Sequence, residues 1–133
     1  MSEREIVRVR DVMNTRFDTI DGMATVRAAL QLMRANSAEC LIVNKRHPDD
    51  EFGMLLVSDI ARHVLGEDRS PDRVNVYEVM AKPVISVEPE MDVRYCARLF
   101  TRFDLTRAPV IANAEVLGIV SFTDLVMGGL CKF

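Results

Sequence analysis

Tryptophan is absent from this chain of 133 residues, and six Phe and two Tyr are its only aromatic side chains. Apolar residues nevertheless make up 49% of the sequence. A hydrophobic core is therefore available, and it must be packed mainly with aliphatic side chains.

Cysteine is scarce, and no pair of cysteines has the CxxC spacing that is typical of a metal or redox site. The three cysteines, Cys40, Cys96 and Cys131, are scattered and odd in number, and each lies among apolar residues. We therefore expect reduced thiols in the core of a cytoplasmic protein.

The chain also lacks an excess of positive charge. Its 17 Lys and Arg residues are outnumbered by 20 Asp and Glu residues, and the two halves of the chain are similar in charge. This composition argues against a nucleic-acid partner. No apolar run approaches the roughly 18 residues of a membrane span, and the charged start "MSEREIVRVRDVM" is not typical of a signal peptide. We expect no membrane partner.

The sequence contains an internal repeat. "VRDVM" at residues 9–13 returns as "VYEVM" at 76–80, and "GMLLVSDI" at 53–60 returns as "GIVSFTDL" at 118–125. The number of residues that separate matching motifs differs between these two pairs. Differences in loop length explain this, because surface loops tolerate insertions. We place the first repeat at 1–66, a linker at 67–74 and the second repeat at 75–133.

Each repeat is predicted to have the order β-α-β-β-α. Apolar residues at i, i+3, i+4 and i+7 indicate the first helix of each repeat. Because a unit of about sixty residues is marginally stable alone, we predict an α/β fold in which the two repeats pack as one pseudo-two-fold module. The predicted strands are 17–20, 40–44, 53–57, 84–87, 108–112 and 116–122, and the predicted helices are 24–35, 91–102 and two more that begin at Ser58 and Thr123.

Two carboxylates, Asp59 and Asp124, occupy the same place in the two repeats. Each directly follows a hydroxyl residue, Ser58 or Thr123, that we predict to cap the last helix. Helix capping alone would explain the pattern, since negative charge is favoured in the first turn. The alternative is a ligand cleft, because a carboxylate suits a ribose diol and free helix N–H groups suit a phosphate.

These motifs resemble those of the tandem CBS-domain family, whose paired repeats are called a Bateman module. The resemblance covers residues 9 to 130 and is carried by "VRDVM", "VYEVM", "VISVEPEMDV", "RAPVI" and above all "LGIVSFTDL". It implies two β-α-β-β-α repeats whose sheets face each other and leave two clefts. It also implies a regulatory sensor that binds an adenosine-containing ligand, such as AMP, ADP, ATP, NAD or S-adenosylmethionine, and that often dimerises.

The resemblance implies specific roles in the second repeat. Asp124 would hold ribose hydroxyls, Ser121 and Thr123 match hydroxyl positions beside it, and Arg107 would face a phosphate. The first repeat departs from this pattern: Leu56 stands at the hydroxyl position, and the sequence alignment puts Glu39 at the basic position. Asp59 is retained, and Arg62 lies one helical turn further on. We expect weaker binding in the first cleft.

Other polar residues have simpler explanations. His47, Asp49 and Asp50 lie in the loop "KRHPDDE", where a metal site is the alternative to a solvated turn. His63 follows Asp59 on its helix, where approach to a phosphate is the alternative to an ordinary exposed histidine.

Arg94, Arg98 and Arg102 form a stripe on one helix. Such a stripe is usually a solvated face, and the alternative is a surface for an acidic partner, because like charges at i, i+4 are unfavourable.

No residue pattern indicates catalysis: no Ser or Cys has an evident His partner, and no glycine-rich phosphate loop follows a strand. We therefore expect a non-enzymatic regulatory module with no obligatory cofactor and no metal. It would bind an adenosine-containing ligand and act through an effector protein or through its oligomeric state. The last helix is apolar nearly all round, which favours a homodimer. The alternative is an interaction or dimerisation module that binds no small molecule.

Overall fold

The computed structural model describes residues 5–131, and these form two compact units. The first unit is residues 17–84, and the second unit combines residues 5–16 with 85–131. The helices are α1 Val9–Val12, α2 Val26–Asn36, α3 Val57–Ile60, which continues as a π-helical turn Ala61–Leu65, a 3₁₀ turn Val76–Glu78, α4 Val93–Arg102 and α5 Phe122–Leu130. The strands are β1 Thr19–Ile20, β2 Cys40–Val43, β3 Gly53–Leu56, β4 Arg107–Ala112 and β5 Glu115–Ser121.

In the first unit the three strands form a sheet of order β1-β2-β3. Strand β1 pairs parallel with β2, and β2 pairs antiparallel with β3, with Cys40 opposite Leu56. Helix α2 begins at the N-cap Thr25, whose hydroxyl accepts a hydrogen bond from the Ala28 N–H. The predicted apolar stripe of α2 is confirmed, since Val26, Ala29 and Met33 are buried in the core of this unit and Leu30 packs against it half-buried.

In the second unit β4 and β5 pair antiparallel, with Arg107 opposite Ser121. Of the predicted apolar stripe of α4, Val93, Cys96 and Phe100 are buried, and Ala97 is half-buried. The other edge of β5 pairs with the N-terminal segment: the Asn14 N–H donates to the Ile119 carbonyl at 2.8 Å, and the Ile119 N–H donates back at 2.9 Å. The predicted α/β class with two repeats is confirmed.

The predicted strand 84–87 is wrong as a regular strand. Only Val87 pairs, in a single parallel bridge with Val110. Pro83 and Pro89 bracket the segment, and proline has no backbone N–H to donate to a ladder, so the extended pairing stays short.

The short opening segment of each repeat packs in the compact unit that contains the rest of the other repeat. Residues 5–16, including α1, belong to the second unit, whereas the turn Val76–Glu78 belongs to the first. The compact units thus divide the chain differently from the repeats in the sequence, and the predicted boundaries of the repeats stay a prediction.

The motifs "GMLLVSDI" and "GIVSFTDL" each begin with a glycine, and these glycines allow the opening segments to pack closely. A Cβ on Gly118 would lie 2.7 Å from the Asn14 carbonyl oxygen, and a Cβ on Gly53 would lie 2.8 Å from the Met80 sulfur. A side chain at Gly118 would push the backbone of the opening segment away from β5, whereas at Gly53 the Met80 side chain would have to move.

The predicted linker is fastened to the first unit. Asp72 accepts two hydrogen bonds from the Arg27 guanidinium, at 2.9 and 3.0 Å, and the Val26 N–H donates to the Val74 carbonyl. These bonds give the polar segment a defined path.

All three cysteines are free thiols, as expected. Cys40 and Cys96 are buried and Cys131 is half-buried. Burial raises the pKa of the Cys96 thiol to about 11. None of the helices within residues 5–131 has the length and hydrophobicity needed to span a bilayer.

Candidate functional site

The seam between strand β5 and helix α5 is closed by two reciprocal hydrogen bonds. The Ser121 hydroxyl accepts from the Asp124 N–H at 3.1 Å, and Asp124 Oδ2 accepts from the Ser121 N–H at 2.9 Å. This is a capping box, in which two of the otherwise unpaired N–H groups at the helix start are satisfied. The predicted first-turn position of Asp124 is confirmed.

The identity of the cap differs from the prediction. The N-cap of α5 is Ser121, and Thr123 lies exposed in the first turn. The hydroxyl must precede the first helical residue to reach the N–H of the third one, and Thr123 lies two positions too late. Ser121 therefore has both a structural role and a predicted ligand role.

Three of the predicted site residues lie together at one end of the β4–β5 hairpin. The register puts Arg107 directly opposite Ser121, and the capping box holds Asp124 against Ser121. Both Arg107 and Asp124 are half-buried. Asp124 uses Oδ2 for the cap, so Oδ1 is the oxygen that would accept from a ligand hydroxyl, and the Ser121 hydroxyl can still donate its own proton.

The corresponding junction of the first unit, between β3 and α3, has the same hydrogen bond to a backbone N–H but a different side chain at the cap position. Asp59 Oδ2 accepts from the Leu56 N–H at 2.9 Å, and Leu56 supplies no capping hydroxyl. The predicted cap Ser58 is wrong, because it lies within helix α3. Asp59 is 9% exposed, and its Oδ1 lies 4.0 Å from Arg62 Nη1. The carboxylate of the first repeat therefore has a solvent-exposed arginine of the following turn at the outer limit of ion-pair distance.

The strand register corrects the alignment of the two repeats. Cys40 lies opposite Leu56, as Arg107 lies opposite Ser121. The residue that matches Arg107 is therefore Cys40, and Glu39 lies one position earlier. Sequence alignment missed this because both strands contain a continuous apolar run, "CLIV" in β2 and "APVI" in β4, and such runs match nearly as well when shifted by one residue. The first unit thus has an uncharged, buried side chain where the second has a cation.

The loop around His47 is ordered by an ion pair that the sequence did not predict. Asp50 accepts from Lys82 Nζ at 2.9 Å and from the Arg46 N–H at 2.9 Å. These bonds hold the pKa of Asp50 well below its usual range. Across residues 5–131 no group of three or more His, Cys, Asp or Glu side chains is placed to hold a metal ion.

His63 lies on the π-helical turn after α3, with Nδ1 at 3.8 Å from Glu67 Oε2. Its side chain is 43% exposed. Glu67 lies one turn further along the chain, and the arrangement is that of a solvated surface histidine.

A further contact at the site joins the segment from Ser121 to Asp124 to helix α4. The ring of Phe122, the residue after Ser121, meets the ring of Phe100 edge to face, with centroids 5.2 Å apart. The sequence gives little signal for this pair, because it depends on how α5 packs against α4.

Comparison with known proteins agrees with the repeat architecture. The family model of the CBS domain matches residues 9–66 and 76–128. The protein MK0525 of Methanopyrus kandleri is 29% identical over 114 residues, which are 83% of this chain and 57% of that protein. This chain therefore spans little more than half the length of that relative.

Solved structures share the fold. The hexameric CBS-CP12 protein from bloom-forming cyanobacteria is 38% identical with a TM-score of 0.90, and the match covers 94% of this chain and 72% of that one. The CBS domain pair of MJ0100, in complex with 5′-methylthioadenosine and S-adenosylmethionine, is 21% identical with a TM-score of 0.80, and the match covers 94% of this chain and 98% of that one. At that identity the likeness shows the fold alone.

Proposed function

This chain belongs to the CBS domain family, and we propose that it is a regulatory module that binds an adenosine-containing ligand at the Ser121–Asp124 motif of its second unit. CBS pairs are regulatory rather than catalytic modules in general. The observation that carries the proposal is the grouping of Arg107, Ser121 and Asp124 at one end of the β4–β5 hairpin.

The chemistry of these three residues suits a nucleoside with an anionic group. Asp124 Oδ1 would accept a hydrogen bond from a ribose hydroxyl, and the Ser121 hydroxyl would donate to a ligand oxygen. Arg107 would bind a phosphate or carboxylate through charge-assisted hydrogen bonds. The MJ0100 complex supports the proposal because it contains adenosine compounds in a CBS pair of the same fold. AMP, ADP, ATP, NAD and S-adenosylmethionine all carry the required adenosine.

We propose that the two units bind the adenosine-containing ligand with unequal affinity. The first unit has Leu56 and Cys40 at the hydroxyl and cation positions, and Arg62 lies beside Asp59. A hydrogen bond to a charged group is worth about 1.5–3 kcal/mol. Without the matching arginine, a first-unit site would bind an anionic ligand about tenfold to a hundredfold more weakly.

Isothermal titration calorimetry and thermal melting with the five ligands test this proposal. A ligand at a hundred times its dissociation constant should stabilise the protein by about 2.7 kcal/mol. Asp124→Ala should abolish the tighter binding event, because it removes the carboxylate acceptor, and the matched variant Asp59→Ala should leave it nearly intact. If none of the five ligands gives heat or a melting shift at millimolar concentration, the proposed binding of these adenosine compounds is contradicted.

The second candidate function is interaction without a small-molecule ligand, acting through an effector protein or through assembly with further copies. It is favoured by the CBS-CP12 relative, which is a hexamer, and by exposed apolar residues on α5, namely Val126, Met127 and Leu130. We propose a homodimer that buries this face. A dimer and a bound ligand are compatible, so the two candidates are separated by the ligand titrations.

A further inference from the structure

Helix α4 carries an exposed basic and aromatic surface. We call it the α4 face and define it by Tyr95, Arg98, Arg102 and Phe103. Tyr95 is 62% exposed and Phe103 is 51% exposed, and both arginines are exposed. Tyr95, Arg98 and Arg102 follow i, i+3, i+7 spacing and so lie on one side of the helix, opposite the buried stripe.

The other repeat provides an internal control for this surface. Helices α2 and α4 start at matching buried valines, Val26 and Val93. Counting from these, the positions of the α4 face hold Ala28, Gln31, Ala35 and Asn36 on α2. The same fold is therefore built without the arginines and aromatic rings, so packing of the helix does not require them.

The two arginines have no acidic partner among the ion pairs of residues 5–131. Arg94 lies 3.4 Å from Asp92, whereas Arg98 lies over the ring of Tyr95 at 5.1 Å from its centroid. Residues 93–102 contain no acidic side chain. Arginines at i, i+4 repel each other on an isolated helix, which an anionic partner would offset.

The chemistry of the α4 face defines what fits it. A shallow groove beside this face is lined by Arg98 and Arg102 together with Ala97 and Thr101. Exposed Tyr and Arg side chains are enriched at protein interfaces, where the ring supplies apolar contact and the guanidinium binds carboxylates in bidentate fashion. A nucleic acid fits less well, because the chain as a whole has a net charge of −3 and would repel a polyanion outside this face.

We propose that the α4 face docks an acidic segment of a partner protein, with carboxylates on Arg98 and Arg102 and an apolar side chain against Tyr95. This goes beyond the proposed ligand binding, because none of these side chains belongs to the Ser121–Asp124 motif. It gives the module a surface through which a regulatory signal would leave the second unit.

Fluorescence anisotropy with a defined probe tests the proposal. The probe is a fluorescein-labelled peptide of about ten residues, made of Glu and Asp around one central Phe. Its control has Gln and Asn at the acidic positions. The test variant, Arg98→Gln with Arg102→Ala, installs the residues of α2. The matched control, Arg34→Gln with Arg73→Gln, removes the same charge from two exposed arginines of the first unit.

The wild type should bind the acidic peptide and not its neutral control, with an affinity that falls as salt rises. The test variant should bind about tenfold more weakly, Tyr95→Ala should also weaken binding, and the matched control should be unchanged. Thermal melts check that all variants are folded.

Several results would overturn the proposal. The first is that the wild type does not bind the acidic peptide at low salt. The second is that the matched control variant loses as much affinity as the test variant, because the effect would then reflect net charge alone. Tighter binding of a single-stranded oligonucleotide to the same arginines would assign the face to nucleic acid. A halved mass of the test variant in light scattering would assign it to an interface between copies of this chain.

Discussion

At the residue scale, the two repeats differ most at the last position of the strand that leads into the final helix. Ser121 caps α5 through its hydroxyl, whereas Leu56 contributes only its backbone N–H to Asp59. More of the backbone N–H groups at the start of the last helix are therefore hydrogen-bonded in the second repeat than in the first. The same hydroxyl belongs to the proposed ligand site, so its substitution should affect both stability and binding.

Replacement of the capping hydroxyl gives the first prediction. Ser121→Ala should lower the free energy of unfolding by about 0.5–2 kcal/mol, because the Asp124 N–H loses its acceptor. Thr123→Ala is the matched control and should change it by less than about 0.5 kcal/mol, because Thr123 is exposed and does not cap. Urea unfolding measures both. A larger loss for Thr123→Ala would contradict the assignment of the cap.

Asp50 gives a prediction about pH. Its pKa is lowered from the ordinary 3.8 by hydrogen bonds from Lys82 and Arg46. A lowered folded-state pKa adds stability that is complete above the ordinary pKa and is lost as the pH falls toward the folded value. Wild type should therefore exceed Asp50→Asn in stability by a constant amount near neutral pH, and this difference should shrink below about pH 4.

Urea unfolding of both proteins between about pH 7 and about pH 2.5 measures this difference. The control is Asp49→Asn, which removes the same charge from an exposed neighbour in the loop. Its difference from wild type should stay small throughout. A difference for Asp50→Asn that grows as the pH falls would contradict the assigned role of the ion pair.

At the scale of elements, the second unit depends on close contact between α1 and α5. The N-terminal segment is tied to this unit by the Val9 N–H, which donates to the Met91 carbonyl at 2.8 Å, and by the Asn14 pair with Ile119. Gly128 lets α5 approach α1, because a Cβ there would lie 2.8 Å from Val12 Cβ and still closer to Val12 Cγ1. The N-terminal segment and helix α5 therefore pack closely against each other.

Gly128→Ala should lower the free energy of unfolding by about 1–3 kcal/mol, because overpacking forces side chains or backbone apart. Val12→Ala in the same chain removes the closer clashing group, Cγ1, and keeps Cβ, so it should recover part of this loss. The double-mutant cycle measures the coupling between the two positions. A Gly128→Ala protein that is more stable than wild type, as helix propensity alone would predict, would show that α1 does not pack there.

At the scale of the whole molecule, the exposed apolar residues of α5 predict assembly. Val126 is 48% exposed, Met127 55% and Leu130 79%. A contiguous apolar surface of this kind usually marks an interaction site. We expect light scattering at micromolar concentration to give about twice the 15.0 kDa mass of the chain.

Val126→Glu should convert the dimer to a monomer, because a charge buried in an apolar interface without a partner is costly. Arg34→Gln, on α2, is a surface control that should leave the mass unchanged. A wild type that remains a monomer would contradict the dimer, and a mass of about six chains would indicate an assembly like that of the hexameric CBS-CP12 protein.

The sequence by itself determined the repeat, the core faces of α2 and α4, and the order of elements apart from the first strand of the second repeat. These follow from local periodicity, since an apolar residue every three or four positions can only be buried as one face of a helix. It also located Asp59 and Asp124 in the first turns of their helices, because a carboxylate there is favoured by the helix dipole.

Only the tertiary structure decided the cap, the strand register and the partners of the opening segments. Ser121 rather than Thr123 is the cap because the strand continues to Ser121, and where a strand ends depends on its neighbours. Cys40 rather than Glu39 matches Arg107 because pairing with β3 fixes the register. Residues 5–16 pack with residues 85–131, and Asp50 bonds with Lys82. Such pairs are distant in sequence, and local pattern carries no information about which distant segments come together.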